Sequence, residues 1–293
     1  MPRATDPAIP ETGARPPLAL LVPFFAAFAF FWVVPLLAGL QLSLESNALY
    51  GPAGFVGLRN YRALAGDRRF ALAFFNTALY ASLLVATVVP LGLGLAHLLR
   101  SAPRGLRGLL RFGLVVPALT PPVVLAFLFL LVFAGRYGLL NAGLLLLGLP
   151  TADWLKDPPF IRVSLLLQGV WRWTGFAALL LEAALAAIPR EHRDLATAEG
   201  AGSLGMLRHV TLPAVSPVLR FLAILLCLDA FVLFSGAYVL LGGSGGTADA
   251  GLLLVTYAYG TAFTYGRFAS AAAMSLSLVP VIGLVVWALM RRR

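Results

Sequence analysis

Residues 18–42 read LALLVPFFAAFAFFWVVPLLAGLQL, a run without a single charged side chain. At about 1.5 Å of rise per residue, a helix needs about 20 mostly apolar residues to cross the hydrocarbon core of a bilayer. This run is long enough. It is also too long for the apolar core of a cleaved signal peptide. Its far end, Gln41-Leu42-Ser43-Leu44-Glu45, is polar and bulky rather than small, so the segment reads as a retained span. Five further stretches meet the same length test: 72–98, 112–133, 161–188, 215–241 and 268–290. The expected fold is all-α, a polytopic membrane bundle of six transmembrane helices. Residues 1–16, rich in Pro, Arg and Thr, read as a disordered tail before a membrane domain spanning 17–293.

Composition agrees. The chain of 293 residues is 60% hydrophobic and only 12% charged. Soluble domains carry roughly 25% charged residues, so this chain lacks the polar surface to face water. A net charge of +10 raises the question of nucleic acid. The arginines, however, stand in short clusters beside apolar runs, where they set membrane orientation. We read no nucleic-acid binding from them. With the N-terminus inside, twelve basic residues fall in inside segments: Arg3, Arg15, Arg100, Arg104, Arg107, Arg111, Arg190, Arg193, Arg208 and Arg291 to Arg293. Seven fall outside: Arg59, Arg62, Arg68, Arg69, Arg136, Lys156 and Arg267. The bias puts both termini in the cytoplasm.

Several chemistries are unsupported. Cys227 is the only cysteine, so no intrachain disulfide and no cysteine-pair motif can form. His97, His192 and His209 show no ligand spacing, and we read no metal site. No cluster of His, Asp or Glu suggests an enzyme. Lys156 is the only lysine, in Asp153-Trp154-Leu155-Lys156-Asp157, so the chain holds no phosphate-binding P-loop. If ATP drives this protein, a partner subunit binds it.

The stretch 189–213 is polar and too long for a simple connector. Residues 190–199 are good helix formers, and Gly200 and Gly202 stop them. Ser203 can cap a second short helix with an apolar face of Leu204, Leu207 and Val210, and Pro213 marks the start of the next span. Two short helices carrying Glu191, Asp194 and Glu199 suit a docking knob. A solvated connector fits the pattern equally well.

The residues themselves carry a resemblance. Ile188-Pro189-Arg190-Glu191-His192-Arg193-Asp194-Leu195-Ala196-Thr197-Ala198-Glu199-Gly200-Ala201, then Val210-Thr211-Leu212-Pro213, resembles the EAA loop of binding-protein-dependent ABC importer permeases. Pro213 stands thirteen positions after Gly200, as in the family pattern. Asp194 stands where the family has Glu, Leu195 where it has Ala, and Glu199 where it has Asp. Tyr238-Val239-Leu240-Leu241-Gly242-Gly243-Ser244-Gly245-Gly246, with Tyr257-Ala258-Tyr259 and Phe263, resembles the first-permease branch of the carbohydrate-uptake type. Gly57-Leu58-Arg59-Asn60-Tyr61 and Tyr137-Gly138-Leu139-Leu140-Asn141 are similar to loop motifs of that branch.

The resemblance implies the permease subunit of an ATP-driven importer of a sugar or related small polar solute, in a bacterial or archaeal cytoplasmic membrane. Implied partners are a cytoplasmic ABC ATPase dimer, a sister permease and an extracytoplasmic solute-binding protein. Glu191, Asp194, Ala196, Glu199, Gly200, Ala201, Leu207 and Pro213 would form the ATPase-coupling surface. Within the spans, polar groups are presumed functional. Asp229, Ser235, Tyr238, Trp171 and Trp173 are the candidates for the solute path. Asp229 has a second reading, pairing with Arg172 or joining two permeases, and both tryptophans suit an interfacial belt. For Glu182 we expect a structural pairing with Arg220. The alternative function is an ion- or proton-coupled secondary transporter using Asp229 and Glu182, which leaves 189–213 without a role.

Overall fold

A computed structural model describes residues 18–47, 54–135 and 137–291. The expected tail, 1–16, lies outside the described residues. The first span begins with one 3-10 turn, Leu18–Leu21, and continues as α1, Val22–Ser43, with a π-helical stretch at Ala29–Val33. Then come α2 (Arg59–Ala65) and α3 (Arg68–Ser101), the latter capped by Asp67, whose carboxylate accepts from the backbone N–H of Arg69 and Phe70. The others are α4 (Arg104–Leu119), α5 (Pro122–Phe133), α6 (Leu139–Leu146), α7 (Pro158–Ala186), α8 (Arg190–Ala198), α9 (Ser203–Phe231), α10 (Ser235–Leu240), α11 (Leu254–Tyr259) and α12 (Phe268–Arg291).

Two expected spans are not single rods. The stretch 112–133 is two helices, α4 and α5, meeting at 100°. Pro121 pushes Thr120 into extended backbone, and both prolines lack the N–H that would carry the helix on. The stretch 215–241 breaks after Phe231, and a short α10 resumes at Ser235. Pro213 does not start a span. The second short helix of 189–213 runs through a π turn at Leu207–Thr211 straight into the fifth span, making one helix of 29 residues. Nor does Ser203 cap it: the N-cap is Gly202, and no side chain bonds there.

The centre of the bundle is α3 against α7, with α4 and α9 packed on them. Leu84, Val88, Leu181, Leu222 and Leu226 are fully buried where these helices meet. Without a hydrophobic drive inside lipid, such contacts depend on close fit, and small residues permit it. Gly175 on α7 lies against the backbone carbonyl of Leu114 on α4, leaving no room for a Cβ. α12 packs on α9 and α11. α1 stands apart, touching chiefly α12. Its Phe24, Phe25, Phe30, Phe31 and Trp32 are each more than half exposed, a surface suited to lipid.

Two of the loop motifs are fastenings. Asn60 Nδ2 donates to the carbonyls of Ser43 and Glu45, each at 2.8 Å, holding α2 under the end of α1. Buried Asn141 donates to the carbonyls of Gly135 and Ala152 and accepts from the Ala152 N–H and Trp154 Nε1. Every hydrogen-bonding atom of that amide is used, which fixes a loop otherwise free to wander.

Candidate functional site

The stretch 189–213 folds as a protruding hairpin of α8 and the first turns of α9. α8 ends in a Schellman motif: Ala201 N–H donates to the Ala196 carbonyl at 2.9 Å and Gly200 N–H to that of Thr197 at 3.0 Å. Gly200 takes φ +80°, a conformation that favours glycine, and this is what turns the chain. Arg193 ties α8 back to the bundle by donating to the Leu185 carbonyl at 2.7 Å. Glu191, Asp194, Glu199, Gly200 and Pro213 are exposed, and Ala196, Ala201 and Leu207 are half-buried. Leu195, 63% exposed, and Leu204, 76% exposed, stand out as apolar residues on this surface. Ala196, Glu199, Gly200, Ala201 and Pro213 line one open groove between α8 and α9.

The membrane candidates divide into three places. Asp229, near the C-terminal end of α9, accepts a hydrogen bond from Trp173 Nε1 at 2.8 Å. Arg172 Nη1 lies 3.8 Å from its other oxygen, and the same guanidinium stacks over the Trp173 ring at 4.9 Å. The pairing of Asp229 with Arg172 that the sequence suggested is therefore present. A small cavity here also meets Tyr80, Gln168 and Gly236. Gln168 is buried and its Nε2 has no partner.

Trp171 points elsewhere. It packs edge-on to Phe129 of α5 at 5.8 Å, beside an apolar groove. Two residues along a helix point to opposite sides, so it cannot join Trp173.

Ser235 and Tyr238 lie on α10. Tyr238 belongs to a continuous stripe of rings. Phe234 meets Tyr238 at 4.9 Å and Tyr259 at 4.8 Å, Tyr259 meets Phe263 at 4.7 Å, and Phe263 meets Phe268 at 5.6 Å. Phe234 and Phe268 escaped the sequence reading. The i, i+4 spacings Phe234–Tyr238 and Tyr259–Phe263 were the available signal.

The loop carrying this stripe is stitched to α3. Arg69 forms a two-bond ion pair with Asp249 at 2.7 and 2.8 Å. Asn76 Nδ2 donates to the carbonyls of Asp249 and Leu252. Tyr257 donates to Asp67 at 2.6 Å, and burial together with that carboxylate pushes its phenol up to about 12. The latch is thus protonated and intact through the physiological range.

Glu182 departs from expectation. Its partner is Arg111 on α4, not Arg220: Arg111 Nη2 and Nε donate to its two oxygens at 2.6 and 2.9 Å. The bidentate fork locks α4 to α7 at the end of the bundle that carries 189–213.

A helical membrane bundle with an exposed helical hairpin between two spans suits a transport permease. Residues 88–292 match the family described as "Binding-protein-dependent transport system inner membrane component", and the chain belongs to it. It is the permease subunit of an ABC importer, a multi-pass inner-membrane protein. It is 31% identical to the "Trehalose/maltose transport system permease protein MalF" of Thermococcus litoralis, over 89% of this chain and 88% of that one. It is 30% identical to the "Arabinooligosaccharides transport system permease protein AraP" of Bacillus subtilis, over 91% of this chain and 84% of that one. In fold it is similar to a chain of the crystal structure of a bacterial ABC transporter involved in import of the acidic polysaccharide alginate. There the TM-score is 0.79 at 22% identity, with 92% of each chain covered. A second structure of an alginate transporter, in complex with an alginate-pentasaccharide-bound periplasmic protein, gives 0.78 at 21% identity, over 94% of this chain and 93% of that one. Family membership replaces the gradient-driven alternative.

Proposed function

We propose that this chain forms one half of a membrane pore that imports a sugar or oligosaccharide, driven by an ABC ATPase seated on residues 189–213. The observation that carries the reading is mechanical. A knob closed by a Schellman motif at Gly200 leads directly into α9, whose far end bears Asp229. A tilt imposed on the knob by ATPase closure is a tilt of a span, which is what rigid-body alternating access requires. Glu191, Asp194 and Glu199 offer anions to a basic groove of the ATPase. Ala196 and Ala201 allow close approach, Pro213 lines the same groove, and Leu207 is half-buried on α9. No bond is made or broken in this chain, and the nucleotide belongs to the partner.

The solute travels past the ring stripe, where Tyr238 and Tyr259 offer flat apolar faces and hydroxyls, with Ser235 and Asp229 as polar groups deeper in the bundle. Aromatic faces with a polar rim suit the apolar faces and hydroxyl edges of sugar rings. Support for sugars comes from the relatives named above. The permease domain is 17–293, with the tail 1–16 and both termini in the cytoplasm. The remaining partners are a sister permease, completing the pore, and an extracytoplasmic binding protein that delivers the solute.

The test is uptake of labelled maltose, trehalose and arabino-oligosaccharides by cells carrying the whole importer, compared with cells in which this chain is Asp194→Arg. The reading predicts that at least one sugar accumulates with the unaltered chain and none with the variant, while the variant remains in the membrane. Equal accumulation in both refutes the coupling assignment.

A further inference from the structure

At the coupling-loop end of the bundle the charges do not balance. Arg100 ends α3, Arg107 and Arg111 lie on α4, and Arg193 lies on α8. Arg100 is within electrostatic range of Arg107, Arg193 and Glu182. Glu182 is the carboxylate that faces this group, and both its oxygens are held by Arg111. Arg107 spends one nitrogen on the carbonyls of Arg100 and Ala102, at 2.8 and 3.0 Å, which fixes the α3–α4 turn. Two donors are left over: Arg100 Nη1 and Arg107 Nε are buried without a hydrogen-bond partner. Buried guanidinium N–H groups left without an acceptor are costly, and arginine cannot shed its proton to escape the penalty.

We infer that an anionic phosphate group, presented by a lipid headgroup, occupies this cluster between α3, α4 and α8. A phosphodiester has two non-ester oxygens that share one negative charge, so it can accept from Arg100 and Arg107 together. The lipid source is indicated by α4. Arg104, Arg107 and Arg111 lie at helical spacing on one side of it, while Leu106, Leu109 and Phe112 are exposed on the others. A helix that is basic on one side and apolar on the other sits at headgroup level, and basic pockets at that depth bind anionic headgroups. Because Arg193 belongs to α8, an occupied site also steadies the root of the coupling knob. The inference rests on the membrane fold and not on which solute is carried.

The test is native mass spectrometry of the purified full chain in detergent, titrated with phosphatidylglycerol, phosphatidylcholine or inorganic phosphate. Phosphatidylglycerol should be retained in preference to phosphatidylcholine. In the double variant Arg100→Gln, Arg107→Gln that preference should fall by roughly thirtyfold. Equal retention of the two lipids by the unaltered chain overturns the inference, whatever the variant's folding. So does a preference that survives in a monodisperse double variant, the result expected if an acidic partner surface is the true occupant. Displacement of phosphatidylglycerol by millimolar inorganic phosphate also overturns it, by assigning the site to free anions.

Discussion

Single residues decide how tightly this bundle closes and what it can hold. Gly175 is placed where α4 and α7 touch, with the Leu114 carbonyl filling the position a Cβ would need. Backbone cannot rotate out of the way as a side chain can. Gly175→Val should therefore destabilise the chain by about 1–3 kcal/mol, the usual range for overpacking. Thermal unfolding of the detergent-purified protein would read this as a lowered midpoint, and an unchanged midpoint would mean the helices have slack. Along the proposed solute path, the rings of Tyr238 and Tyr259 meet Phe234 at 4.9 and 4.8 Å and each other at 5.4 Å. Removing either ring, as Tyr238→Ala or Tyr259→Ala, should weaken apparent sugar affinity in uptake by roughly tenfold, near the upper end of the range for an aromatic contact. Asp229 is less exposed to this test, since Trp173 and Arg172 already engage it.

At the scale of elements, α9 links the knob to the membrane interior. Inserting two glycines after Pro213 should break that lever while leaving α8 and its Schellman motif intact. Uptake should vanish and association with the ATPase should persist; uptake at the unaltered rate would show that the continuity of α9 is not used. This continuity was not legible in the sequence. Pro213 reads as a boundary because proline cannot donate the next helical hydrogen bond. The π turn at Leu207–Thr211 stands directly before it, and the helix passes through. The element types were legible because apolar length is a strong signal in lipid. The 100° bend at Pro121-Pro122 was not legible from apolar length, which reads 112–133 as one span; packing against α7 and α10 sets where α5 goes. In 189–213 the first helix and the turn at Gly200 were readable because they depend on local spacing, whereas the Ser203 cap was not. The partner of Glu182 was not readable. Arg111 lies 71 residues away, and only the close approach of α4 to α7 brings them together.

For the whole molecule, its surfaces divide by solvent. α1 offers rings to lipid, a separate stripe of rings runs from Phe234 to Phe268 along the proposed solute route, and α8 presents an exposed polar surface. The central claim is that this knob is the seat of an ABC ATPase. The most direct measurement is co-purification from detergent-solubilised native membranes, comparing the unaltered chain with Asp194→Arg and Gly200→Val. A β-branched residue at φ +80° is strained by about 1–2 kcal/mol and should open the turn. The account predicts that a P-loop ATPase accompanies the unaltered chain and is lost from both variants, while both remain in the membrane. Recovery of the ATPase in equal amount with all three would contradict it.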